Sequence, residues 1–207
     1  MSQYGLTIQF ETADVHNINK ECKKLTIVKK VGGQSGNQVA WITFNPFENN
    51  EVNWTEKYGV YASSTEVKAG ATIAKISAVN PASDACLYPF ETGAFNDPET
   101  GIDPNDYAVK NMYKDGKQFT FGLAQSVTAN GSKFDASPLN AIAGFPSDKL
   151  IFTPIEVVSV FLHAHYDNGV IISNVDSEGL EVDLTDVPEQ TIHYDHNSGL
   201  FVPGPLV

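Results

Sequence analysis

The chain has 207 residues, with 25 acidic and 13 basic side chains for a net charge of -12, and every basic residue is a lysine. Without arginine it has no planar fork to grip phosphate or read guanine edges, and its charge repels a polyanion, so nucleic acid is excluded as a partner. Neutral glycans, zwitterionic headgroups and cations such as calcium are the ligand classes left.

The opening "MSQYGLTIQF" has no basic region followed by an apolar run, and no stretch approaches eighteen consecutive apolar residues. The expectation is a protein that is cytoplasmic or exported without a classical signal peptide. Apolar and polar residues then alternate with a period of two in "LTIQF", "KLTIVKK", "QVAWITF", "GVYAS", "ATIAKIS", "FTFGLAQSV", "VVSVFLHAHY", "GVIISNV", "LEVDL" and "TIHYD", each of which reads as a strand. Asp115-Gly116 and Asn168-Gly169 are suited to type I′ turns and predict two hairpins. Residues 88–107 and 134–149 are rich in Pro, Gly, Asp and Asn and read as two long loops. Ten or more strands in one chain predict an all-β fold, an antiparallel β-sandwich or jelly roll, as a single domain over residues 1–207. Cys22 and Cys86 have no C-x-x-C spacing and read as small buried thiols rather than a disulfide framework.

Two patterns bear on metals. His163 and His165, two apart on a strand, project from one face and form a chelating pair, with His193, His196, Asp167 or Asp195 as further ligands. The loop "FNDPETGIDPND" offers Asn96, Asp97, Glu99, Asp103, Asn105 and Asp106 to calcium but lacks the EF-hand spacing, and a solvated turn describes it better. No cofactor is therefore expected, with calcium or a transition metal as the alternative. "VGGQSGNQ" satisfies neither the Gly-x-Ser-x-Gly nor the phosphate-loop pattern.

Binding chemistry concentrates between residues 44 and 63. Trp41 falls on the strand "QVAWITF", which places Val39, Trp41 and Thr43 on one face and marks Trp41 as core. Glu48, Asn49, Asn50, Asn53 and Trp54 read as a polar connection, so Trp54 is the ring expected near solvent, where an indole flanked by amides stacks on a sugar or sits at a headgroup boundary. The segment "VAWITFNPFENNEVNWTEKYGVYAS" resembles actinoporin-like cytolysins and related fungal lectins, in which a strand leads to Pro-aromatic-acid, an Asn-Trp loop and a strand with spaced tyrosines. The resemblance implies a β-sandwich whose headgroup or glycan pocket uses Pro46, Phe47, Glu48, Trp54, Tyr58 and Tyr61. Those cytolysins begin with an amphipathic helix, whereas "LTIQFETADV" here alternates like a strand, which counts against pore formation.

The expected function is thus non-enzymatic binding of a neutral glycan or zwitterionic lipid headgroup through Phe47, Glu48, Asn50, Asn53, Trp54, Tyr58 and Tyr61. The alternatives are a cupin-like metal enzyme using the His-x-His pair, or a self-assembling protein whose partner is a second copy of itself.

Overall fold

The structure, a computed structural model, describes residues 2–34, 36–172 and 179–207. In chain order its elements are β1 (Gln3–Gln9), α1 (Thr12–Lys20), β2 (Lys24–Gly33), β3 (Asn37–Val39), β4 (Ile42–Phe44), β5 (Asn49–Ser63), β6 (Lys75–Val79), β7 (Cys86–Glu91), β8 (Ala94–Phe95) and β9 (Glu99–Thr100). There follow β10 (Tyr107–Asn111), β11 (Phe119–Ala129), β12 (Ser132–Pro138), β13 (Asn140–Gly144), β14 (Lys149–His163), β15 (Ile171–Ile172), β16 (Leu180–Asp183), β17 (Glu189–Asp195) and β18 (Leu200–Pro203).

The period-two alternation builds two sheets. One runs β15-β3-β13-β11-β5-β1-β17-β18, with β12 on β11 and β6 on β5; the other runs β4-β2-β14-β10-β7-β8, with β16 on β14 and β9 on β7. Pairing is antiparallel except for β1 with β17 and β7 with β10, so each sheet is mixed. Leu25 and Ile27 of β2 and Val158 and Val160 of β14 meet Leu6 and Ile8 of β1, Val52 of β5 and Leu123 of β11 in one continuous core. The all-β sandwich-like fold expected from the alternation is what the chain adopts.

Several local expectations are corrected. "QVAWITF" is not one strand: β3 lies in the first sheet and β4 in the second, and the chain crosses between them at Ala40 and Trp41, both fully buried. The polar connection expected around Trp54 is the first half of the fifteen-residue strand β5. Residues 134–149 are no long loop, since β12 and β13 occupy most of them, and residues 88–107 carry β8 and β9 in addition to the end of β7.

Asp115-Gly116 and Asn168-Gly169 connect β10 to β11 and β14 to β15, strands of different sheets, and only the glycine of each pair has positive φ. The tight hairpin is at Asn130-Gly131 between β11 and β12, where both φ values are positive, 49° and 78°, as a type I′ turn requires. Residues 12–15, read as part of a strand, begin α1 instead, which sets Ile18 into the core. Cys22 is an exposed thiol rather than a buried one, and Cys86 is half-buried; both are free. Of "GVIISNV", the residues beyond Ile172 lie outside the described residues.

Candidate functional site

Three strands each place one polar residue in an inward row of apolar ones. Lys29 follows Leu25 and Ile27 on β2, Gln125 falls between Leu123 and Val127 on β11, and Glu156 precedes Val158 and Val160 on β14. Alternation points the three side chains toward the core. The ladder is irregular at the same level, between Gln125 and Val127 where β11 meets β5, and between Pro154 and Val158 where β14 meets β2. Such bulges re-aim side chains.

The three polar groups satisfy one another. Lys29 Nζ, its side chain wholly shielded from solvent, donates to Glu156 Oε2 at 2.7 Å, to Gln125 Oε1 at 2.9 Å and to Tyr58 Oη at 3.1 Å. Glu156 also accepts from Trp54 Nε1 at 2.9 Å and from the Tyr58 hydroxyl. Gln125 Nε2 donates to the Thr55 carbonyl at 2.8 Å, and the Gln125 carbonyl accepts from Trp41 Nε1 at 3.1 Å. Around the ammonium stand the rings of Tyr58, Trp54, Trp41 and Tyr4, with centroids 5.1, 5.3, 5.6 and 6.0 Å away. At these distances the ring faces attract a cation. Burial pulls the Lys29 ammonium down to about 8 against the opposing pull of the Glu156 carboxylate. Burial and that same carboxylate push the Tyr58 phenol well above its ordinary range.

On its outer side the cluster forms the floor of an open cleft of about 720 Å³, to which Tyr4, Glu56, Tyr58, Asp84, Tyr107 and Glu156 contribute. Tyr4 Oη donates to Glu56 Oε1 at 2.8 Å, and the rings of Tyr58 and Tyr107 meet edge to face at 5.9 Å. Burial, followed by the Glu56 hydrogen bond, raises Tyr4 to about 12; burial and the nearby Asp84 carboxylate do the same for Tyr107. The lining is rich in acceptor oxygens and includes no lysine or histidine among the described residues, and the charge of Lys29 is taken up beneath it by Glu156. It suits a ligand that brings hydroxyl or amine donors and repels an anion.

The residues expected to bind are divided among four places. Phe47 is 60% exposed on the turn before β5, Glu48 accepts from Thr12 Oγ1 at 2.8 Å, and Asn50 is fully buried, its amide closing that turn through Phe47 and the Ile8 carbonyl. Trp54 and Tyr58 belong to the internal cluster, and Trp54, 3% exposed, is a core ring rather than a solvent-facing one. Asn53 is half-buried on the opposite face of β5, and Tyr61 packs in a separate cluster, donating to the Asn140 carbonyl at 2.5 Å. The set is thus spread over the fold, with Glu48, Tyr58 and the Asn53–Trp54 pair each bordering a different hollow.

The histidine pair does not lie on one strand face, because β14 ends at His163. The backbone N–H of His165 donates to His163 Nδ1 at 3.1 Å, and His163 stacks on Tyr166 at 3.7 Å. His193 contacts the Gly204 carbonyl, His196 contacts Asp14, and Asp167 pairs with Lys24. In the acidic loop, Asp106 accepts from Thr153 Oγ1 at 2.6 Å. Among the described residues no three His, Cys, Asp or Glu side chains are grouped to hold a metal, and no helix is long and apolar enough to cross a membrane.

Lys29, Gln125 and Glu156 were all missed as site residues. The signal was available in "LTIVKKV", where Leu25, Ile27, Lys29 and Val31 share one alternation phase that puts a lysine on the inward side. Comparison of the chain with protein-family models, with curated proteins and with solved structures finds no match.

Proposed function

We propose that the protein is a non-enzymatic binding protein for a neutral glycan, which it takes into the cleft above Glu156. The reading is supported by the lining: the Glu56, Asp84 and Glu156 carboxylates and the Tyr4, Tyr58 and Tyr107 residues gather around about 720 Å³. A polyhydroxyl ligand supplies the donors that these oxygens accept, and charged acceptors make the stronger bonds. A zwitterionic headgroup fits less well, because its phosphate would face the Glu56, Asp84 and Glu156 carboxylates. Of the residues expected from the sequence, the site proposed here keeps Tyr58 and leaves out Phe47, Glu48, Asn50, Asn53, Trp54 and Tyr61. A glycan array probed with the purified protein tests the reading, with vesicles of zwitterionic lipid as the parallel arm. Selective retention on a neutral glycan supports it; retention on vesicles alone, or on neither surface, overturns it.

A further inference from the structure

A lysine amine, a primary carboxamide and a carboxyl group meet inside the sandwich with solvent excluded. Lys29 and Gln125 are 1% and 0% exposed, and Lys29 Nζ lies 2.9 Å from Gln125 Oε1 and 2.7 Å from Glu156 Oε2. The amide is held from both ends: its oxygen accepts from the amine, and its nitrogen donates to the Thr55 carbonyl at 2.8 Å. We propose that Lys29 and Gln125 join in an intramolecular isopeptide bond, with Glu156 as the proton carrier, so that β2 of one sheet is covalently stapled to β11 of the other.

The chemistry balances without an oxidant or a cofactor. In a low-dielectric interior a separated ion pair carries a large desolvation cost, so transfer of one proton from the ammonium to the Glu156 carboxylate gives a neutral amine beside a neutral acid. Burial weakens the hold of the ammonium on its proton, the direction that transfer needs. The Nζ lone pair attacks Gln125 Cδ and forms the Nζ–Cδ bond. As it forms, the Cδ–Oε1 π pair moves onto Oε1, and the protonated Glu156 first delivers its proton to Nε2 and then takes one from the attacking nitrogen. The Cδ–Oε1 π bond re-forms as the Cδ–Nε2 bond breaks, its electron pair leaving with the nitrogen, and the departing ammonia takes the proton held by Glu156 and leaves as ammonium. Carbon stays at the amide oxidation level throughout. Amine and carboxamide are held together by two strands, which removes the entropic cost of bringing them into contact; effective concentrations of about 10⁵ to 10⁸ M are reached in such arrangements. Glu156, at 11% side-chain exposure, is the member of the trio that borders the cleft, and that opening is the exit for ammonia. The carboxylate left behind keeps the Trp54 and Tyr58 donors, so it is not stranded.

Mass spectrometry of the denatured, purified protein tests this. The intact chain should be lighter than its sequence by one ammonia. Cleavage after lysine should yield one branched peptide joining residues 25–30 to residues 118–133, uncut at Lys29. Lys29→Met and Glu156→Gln should each restore the full sequence mass. A wild-type chain at full mass overturns the proposal, and so does ammonia lost within a single linear peptide, as a succinimide at Asn130-Gly131 would give. Because the wild-type mass decides the question alone, a variant that fails to fold does not protect it.

Discussion

Lys29 and Glu156 form an ion pair of 2.7 Å inside the sandwich, with the lysine side chain fully shielded and the glutamate side chain 11% exposed. The cost of bringing two charges out of water is offset here by Gln125, Trp54 and Tyr58, which occupy the remaining donors and acceptors. Removing one partner strands the other. Lys29→Met and Glu156→Gln, each of which also removes the proposed Lys29–Gln125 bond, are expected to lower unfolding free energy by at least about 3 to 5 kcal/mol, and Lys29→Met/Glu156→Leu by much less than the two single losses added. Urea denaturation of the two single variants and the pair reads both quantities, and simple additivity would show that the groups act independently.

Trp54 stacks on Tyr4 at 5.8 Å and meets Trp41 edge to face at 5.3 Å, so it is part of the wall between the sheets. Trp54→Ala should cost about 3 to 5 kcal/mol, the range for truncating a buried tryptophan. Phe47→Ala, on an exposed turn, should change stability by no more than about 0.5 kcal/mol. Thermal melts of the two variants separate them.

Four tyrosines set an alkaline limit. Burial raises Tyr4 and Tyr107 to about 12 and Tyr58 and Tyr61 further. Each folded-state value lies above the unfolded value of about 10. Their stabilising contribution is therefore complete below pH 10 and is lost as pH rises from there through the folded values. Tyrosinate absorbance should show these rings ionising together with loss of the far-ultraviolet strand signal. Full ionisation near pH 10 with the fold intact would contradict their burial.

Much of the architecture was legible because alternation is a local property: β2, β11 and β17 fall where "KLTIVKK", "FTFGLAQSV" and "TIHYD" place them, and β14 covers "VVSVFLHAHY" as far as His163. The crossing at Ala40 and Trp41 was not, since a strand that leaves one sheet for another keeps the same alternating composition. A Gly after Asp115 or Asn168 fixes a backbone angle and says nothing about which strands it joins, whereas Asn130-Gly131 sits between segments that do pair. Helix α1 is nine residues long and buries only Asp14 and Ile18, too little for a 3.6-residue stripe to stand out. The internal cluster was hidden for another reason. Each strand shows a single polar residue in an apolar row, and only the packing of two sheets brings Lys29, Gln125 and Glu156 together.

The most direct test of binding in the cleft is an equilibrium titration of a neutral glycan retained on the array against wild type, Glu56→Gln and Phe47→Ala. Glu56 lines the cleft, while Phe47 lies outside it on the turn before β5. Loss of one hydrogen bond to a charged acceptor should weaken affinity about tenfold or more in Glu56→Gln, with Phe47→Ala unchanged from wild type. Wild-type affinity in Glu56→Gln together with a loss in Phe47→Ala would put the binding surface on the turn and contradict the cleft.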